Sequence, residues 1–164
     1  MSERLSQRAI VKIDGEEYDL DSSELEIDRD DIDLGLAEQA AKYAWFSVAS
    51  AKLMGEVKRA EAILESKEAD VEADVREYHR VNSEKKPTEK AIQLEVERHE
   101  DVRLLVDNVI EKRQYHGILS AFASAYAQRK DALVTLARNR NFEMTMPSAT
   151  EVERIKENIT GGHR

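Results

Sequence analysis

The sequence predicts an all-α protein in which two long helices form an elongated helical hairpin, with a small N-terminal β-hairpin before them and a short C-terminal helix after them. Three observations predict this fold class. Charged residues make up 36% of the 164 residues and apolar residues 41%, a balance typical of long solvated helices. Only six glycines and two prolines interrupt the chain. Apolar residues recur at alternating spacings of four and three.

Residues 1–26 are predicted to form an acidic β-hairpin appendage. β-branched residues lead into Asp14-Gly15 and a second extended arm follows, which is typical of a two-residue hairpin turn. Residues 1–36 hold twelve acidic and four basic side chains, a net charge of −8, so nearly all of the chain's net charge of −9 lies there. Such a segment either contacts a basic surface of a partner, covers a basic face of its own chain, or serves only to keep the protein soluble.

The long helical hairpin is predicted to span residues 27–146. Its first helix should begin near Asp28, Asp30 and Asp31, because aspartates cap helices and suit their positive ends. A helix of about 45 residues is about 68 Å long, whereas a compact chain of this length has a radius of gyration of about 15 Å. We therefore expect an elongated hairpin whose apolar surface is completed by other copies; the alternative is a bent helix.

The apolar seam of the first helix follows the alternating spacing, with two polar and two charged interruptions. It runs through Leu36, Ala40, Tyr43, Ser47, Ser50, Met54, Val57, Glu61, Leu64, Glu68, Val71, Val75 and Tyr78.

The second helix should start at Thr88, because Pro87 ends the first helix and a threonine can cap the next. No proline follows until Pro147, so one continuous helix is expected over that stretch. Residues 148–151 read Ser-Ala-Thr-Glu, a capping box that predicts a short last helix within residues 147–164.

Several function classes find no support in the residues. The chain has no cysteine, which excludes disulfides, zinc-thiolate sites and thiol catalysis. A helical di-iron site needs a glutamate three residues before a histidine. Arg76, Val96 and Arg113 stand three residues before His79, His99 and His116, so this site is absent. No phosphate-cradling glycine loop and no Gly-x-Ser-x-Gly elbow occur. We therefore expect no enzymatic activity, no metal site and no cofactor.

Neither a membrane segment nor an export signal is evident in the sequence. No apolar run approaches the ~20 residues needed to span a bilayer. The first residues lack the apolar stretch of a signal peptide. We expect a soluble protein that stays inside a cell.

The densest basic cluster lies around the predicted turn between the two long helices. Lysine and arginine neutralise phosphates, and nearby rings offer surfaces on which bases stack, as in single-strand binding without sequence preference. A solvated interhelical turn is the alternative interpretation of this cluster. The predicted nucleic-acid-binding residues are Arg76, Tyr78, Arg80, Lys85, Lys86 and Lys90.

The aromatic and alanine-rich part of the second helix is predicted to be packing surface. Residues 115–127 are apolar on most faces of a helix, so other helices should surround them. We expect this stretch to form a core or a contact between subunits rather than a ligand pocket. The predicted oligomer-interface residues are Val109, Tyr115, Gly117, Ile118, Leu119, Phe122 and Tyr126.

At this stretch the chain resembles the UvsY family of bacteriophage recombination mediators. The resemblance rests on Gln-Tyr-x-Gly-Ile-Leu at residues 114–119, followed by Phe122, and on the pattern of valines and leucines over residues 102–109. It extends back through Ile27-Asp28 to the alanine-rich start of the first helix with Tyr43 and Trp45. About residues 25–140 are covered.

The resemblance implies a non-enzymatic protein in the cytoplasm of a bacterial host that forms a ring, a heptamer in this family, and binds single-stranded DNA. It also implies contacts with a RecA/UvsX-like recombinase and with single-strand-binding protein, in phage homologous recombination and repair. The family carries basic DNA-binding residues just before a tyrosine that corresponds to Tyr78. Here Glu72 and Asp74 stand at those positions, so Arg76, Arg80 and the nearby lysines would have to substitute.

A second function, from another class, is the alternative. Glu72 and Asp74, which stand where the family has basic residues, are also compatible with a helical structural or assembly protein of a phage particle that binds protein surfaces and no DNA.

Overall fold

The computed structural model describes residues 7–83 and 86–145 and is mostly helical, as predicted. The predicted capping box and last helix lie outside the described residues. In chain order the elements are β1 (Arg8–Ile13), β2 (Glu16–Asp21), a 3₁₀ turn (Ser22–Leu25), α1 (Ile32–Asn82), α2 (Glu89–Arg98) and α3 (Glu100–Thr145).

The predicted β-hairpin is present, and its turn is Asp14-Gly15. Both turn residues have positive φ, 52° and 86°, which the left-handed geometry of a tight hairpin turn requires. β1 and β2 are antiparallel, and Val11, Ile13 and Leu20 on one face are buried in the same cluster as the helix side chains. The hairpin is therefore part of the helical core and is not a separate unit.

α1 and α3 form an antiparallel hairpin of long helices. Asp31 caps α1 by accepting a hydrogen bond from the backbone N–H of Leu34 at 3.2 Å. With 51 residues α1 is about 76 Å long at 1.5 Å per residue. Lys67 and Asp101 pair across the two helices at 2.7 Å, and Gly35 at the other end of α1 lies against Leu133. The elongated arrangement agrees with the prediction.

The prediction of one continuous second helix is wrong. α1 ends at Asn82 and Thr88 caps the next helix as expected, but that helix ends at Arg98. His99 is extended, with φ −62° and ψ 131°, and α3 begins directly after it. Packing accounts for the break, because α2 lays Ile92 on the end of α1, whereas α3 runs back along the rest of α1 from Lys67 to Gly35.

The predicted seam of α1 is wrong in its first half. Ala40, Tyr43 and Met54 are exposed, whereas Gln39, Phe46 and Leu53 face the core. The partners of this stripe lie on α3, because the Phe46 ring stacks on Phe122 and Tyr126 and the Gln39 amide donates to the Tyr126 carbonyl. The β-hairpin completes the same cluster. From residue 57 onward the prediction agrees better, since Val57 and Val71 are buried and Leu64 and Val75 are partly buried.

Candidate nucleic-acid interface

The predicted basic cluster lies at the end of the molecule opposite the β-hairpin, where α1 passes into α2. The Ser83 N–H closes α1 on the carbonyl of His79 at 3.0 Å, and Thr88 then starts α2 through a 3.2 Å hydrogen bond from the Ala91 N–H. Ile92 and Val96 anchor α2 on Val71, which holds the two helices side by side. Charged side chains from both helices therefore face one another.

A cleft of about 390 Å³ opens between the last turns of α1 and the start of α2. Three of the predicted residues line it, which shows that the turn brings cations from two segments together. The residues that line the cleft are Arg76, His79, Arg80, Ser83, Lys86, Pro87, Glu89 and Ile92.

Arg76 is held by two carboxylates, one from each helix. Its guanidinium donates to Glu72 on α1 at 2.7 Å and to Glu89 on α2 at 2.6 Å. The hydrogen bonds to Glu89 and Glu72 raise the pKa of Arg76, and Arg76 in turn lowers the pKa of the Glu89 carboxyl. Arg76 therefore ties the two helices together in the absence of any ligand.

Arg80 and His79 also contact acidic or polar groups of the same chain. Arg80 donates to both oxygens of Glu77, at 2.6 and 2.7 Å, and this contact raises the pKa of Arg80 and lowers that of Glu77. The half-buried ring of His79 lies 3.0 Å from the Ser83 hydroxyl through Nδ1 and 3.0 Å from Glu95 through Nε2. His79 thus links the last turn of α1 to α2.

The remaining predicted residues are more open. Tyr78 is 63% exposed, and its ring meets that of His79 edge-on at 5.7 Å. Lys86 and Lys90 are exposed and form no ion pair with another described residue. Tyr78 and Lys90 lie outside the lining of the cleft, and Lys85 lies outside the described residues.

The carboxylates are the functional feature that sequence reasoning missed. Glu72 and Glu77 precede Arg76 and Arg80 by four and three residues, a spacing that predicts helical ion pairs and was available in the sequence. Glu89 reaches Arg76 only because the turn folds α2 back on α1. An anion that binds the two arginines of the cleft would compete with these carboxylates.

The predicted oligomer-interface residues divide into three groups by exposure. Val109, Leu119 and Tyr126 are buried in the core that this chain forms with itself. Gly117 is exposed, with nothing within 4 Å of the position where a Cβ would stand. The other three, Tyr115, Ile118 and Phe122, are partly buried against the same core.

The described parts of the chain contain neither a metal cluster nor a membrane-spanning helix. Residues 7–83 and 86–145 contain no group of three His, Cys, Asp or Glu side chains placed to hold a metal ion. Within the same ranges, no helix combines the length and the apolar character needed to cross a membrane.

Comparison of the chain with protein-family models, with curated proteins and with solved structures gave no match in any of the three.

Proposed function

We propose that the protein is a recombination mediator that binds single-stranded DNA and helps load a RecA/UvsX-like recombinase onto DNA coated by single-strand-binding protein, in phage homologous recombination and repair. The observation that carries the proposal is the convergence of Arg76, Arg80 and Lys86, from both sides of the turn, on one cleft. Tyr78 beside it exposes a ring on which a base can stack.

One cleft alone would bind DNA weakly. Glu72, Glu77 and Glu89 already offset the charge of its two arginines, and each phosphate contact is modest and sensitive to salt. A ring of identical subunits repeats the cleft, and linked sites gain effective concentration without any new contact. Homo-oligomerisation is therefore part of the proposal, as the source of useful affinity.

The test of DNA binding is a titration of a fluorescent oligothymidylate at about 50 mM and about 200 mM salt. We expect affinity to fall steeply with salt. The variant Lys86→Gln/Lys90→Gln should bind more weakly and with a shallower salt dependence, because two phosphate contacts are lost. Lys130→Gln/Arg138→Gln, which removes the same charge from α3, should bind like the wild type. Absence of binding at low salt would contradict the proposal.

The mediator role needs a separate measurement. We expect the protein to speed assembly of a RecA/UvsX-like recombinase on oligothymidylate that is already coated with single-strand-binding protein. Recombinase assembly that is unchanged by the protein, alongside intact DNA binding, would contradict the mediator role specifically.

A second candidate function is supported by the same ion pairs. Because Arg76 and Arg80 are already engaged by carboxylates, the cleft is also compatible with a helical structural or assembly protein of a phage particle that binds no DNA. Such a protein would show no salt-dependent DNA binding, so the titration separates the two candidates.

A further inference from the structure

The face of α1 turned away from α3 carries an exposed stripe without charge. Each stripe position on the first half of α1 lies about 200° around the helix from a buried one, as Ala44 does from Phe46 and Ala51 from Leu53. The stripe is about 27 Å long. Its positions follow alternating spacings of four and three and are Ala37, Ala41, Ala44, Val48, Ala51 and Gly55. The first five are exposed, whereas Gly55 is half-buried and the Arg59 guanidinium lies 3.6 Å from where its Cβ would stand.

Larger apolar side chains widen this stripe. Val48 is 58% exposed, and Leu34 and Trp45 beside the stripe are 53% and 41% exposed. In a chain that is 36% charged, so long an uncharged face is a marked departure from the rest of the surface. Lys52 borders the stripe, but it is turned to Asp14 of the β-hairpin at 3.3 Å. The spacing is that of a second helix-packing seam, which the described residues leave largely exposed, although Tyr18 of the β-hairpin lies beside Trp45 with ring centroids 5.4 Å apart.

The two ends of the stripe carry opposite charges. Asp30, Asp31 and Asp33 stand at its start, and Lys58 and Arg59 follow its end. These two cations are exceptional in α1, because they form no ion pair with any described residue. The other five lysines and arginines of α1 each pair with a carboxylate, and they are Lys42, Lys52, Lys67, Arg76 and Arg80.

We propose that this stripe, from Ala37 to Gly55 of α1, docks against the same stripe of a second copy of the chain, with the two helices antiparallel and the charged residues at each end included in the contact. A two-fold axis near Phe46 sets Ala44 opposite Val48, Ala41 opposite Ala51, and Ala37 opposite Gly55 of the other copy, so larger and smaller residues interleave. The same register brings the aspartates of each copy to Lys58 and Arg59 of the other. A parallel arrangement would instead place like charges together.

This contact goes beyond the proposed function and does not depend on DNA binding. It lies on α1, on the side opposite α3, whereas the oligomer interface predicted from the sequence lies on α3. A two-fold contact is self-complementary and joins two copies without closing a ring. In combination with a ring it would join two rings face to face.

Engineered cysteines test the register, because the chain has none of its own. The variant Ala41→Cys/Ala51→Cys should form a cross-linked dimer under mild oxidation, whereas Ala41→Cys and Ala51→Cys alone should remain uncross-linked. Within one helix these positions are about 15 Å apart, too far for a bond inside one chain. Cross-linking by either single variant would indicate a parallel pairing and overturn the proposal. Failure of the double variant to cross-link would overturn it as well.

A charge placed in the stripe tests the contact itself. In sedimentation equilibrium without DNA, Ala44→Glu should weaken self-association by about tenfold or more, because the contact would bury an unpaired carboxylate. Ala132→Glu, an exposed alanine of α3, is the matched control and should associate like the wild type. Wild-type protein that stays monomeric, or Ala44→Glu that associates equally well, would overturn the proposal. Loss of DNA binding alone would contradict only the function proposed above.

Discussion

The two ends of the helical hairpin are stabilised by different means. At the end that packs against the β-hairpin, called the hairpin end below, Leu53, Leu119 and Tyr126 are fully buried, and the ring of Phe46 stacks on Tyr126 with centroids 5.0 Å apart. At the opposite end, where α1 passes into α2 and which is called the turn end below, the buried side chains are a few aliphatic residues around Val71, and ion pairs surround them. One end has a large aromatic core, and the other has a small core bordered by charges.

This difference indicates where the molecule is rigid and where it is able to respond. Buried aromatic side chains contribute several kcal/mol each, whereas exposed ion pairs contribute little and are screened by salt. Local stability therefore falls from the hairpin end to the turn end. The cleft lies at the less stable end, away from the main core.

The largest effect is expected from Phe46→Ala at the hairpin end. Removal of this buried, stacked ring should lower the free energy of unfolding by about 3–5 kcal/mol, measured by urea denaturation followed by circular dichroism. Phe142→Ala is the control, since Phe142 is 62% exposed and its loss should change stability by less than about 0.5 kcal/mol. A similar small change for Phe46→Ala would abolish the contrast between the two ends.

Gln39→Leu should have the next largest effect. The buried Gln39 amide donates to the Tyr126 carbonyl and accepts from Arg129 at 2.9 Å, and Arg129 also reaches the Glu26 carbonyl at 3.3 Å. Leucine removes both hydrogen bonds of the Gln39 side chain from a buried position and leaves Arg129 with the Glu26 and Gly35 carbonyls, so the free energy of unfolding should fall by about 1–3 kcal/mol. In a double-mutant cycle with Arg129→Met the two losses should not add. Simple additivity would show that the network does not act as a unit.

Alkaline pH should weaken the hairpin end by a smaller amount. Burial raises the pKa of the Tyr126 phenol to about 12. The folded state holds this proton more tightly than the unfolded state, in which the phenol has its ordinary pKa of about 10. The resulting stabilisation is complete below pH 10 and is lost as the pH rises from 10 to 12, which lowers the free energy of unfolding by up to about 2 kcal/mol. Tyr126→Phe has no such proton, so its unfolding free energy should fall less over that window. Parallel pH curves for the two proteins would contradict this account.

At the turn end, Glu89→Gln should change binding with no measurable loss of stability. Arg76 lowers the pKa of Glu89, so the pair is fully charged at neutral pH, and its removal frees one side of the guanidinium. Affinity for oligothymidylate should rise by about two- to fivefold, as a competing anion is lost. Glu97→Gln removes the same charge elsewhere on α2 and is the control. An equal gain in both variants would show that net charge alone is responsible.

Local signals in the sequence predicted much of the fold. Asp14-Gly15 fixed the hairpin turn, and Pro87 with Thr88 fixed the boundary between α1 and α2, because each acts within a few residues. The break at His99 could not be predicted, since neither proline nor glycine stands there and the cause is packing on α1. Phe46 was missed because its stacking partners Phe122 and Tyr126 lie on α3, distant in sequence, and spacing along α1 alone does not show which face they cover.

The candidate site was predictable in position but not in its electrostatics. The sequence placed Arg76, Arg80 and Lys86 near one turn, and the structure brings them to one cleft. Spacing along α1 predicts the pairs with Glu72 and Glu77, whereas Glu89 and Glu95 reach the cluster across the turn. Charge counts along a chain cannot supply contacts of this second kind.

The unbroken course of α1 between Phe46 and Asn82 has a mechanical consequence. That stretch is about 54 Å long, so a tilt of about 10° where the β-hairpin is held would swing the far end through about 9 Å. A small rotation at one end of so long a helix therefore becomes a large displacement at the other.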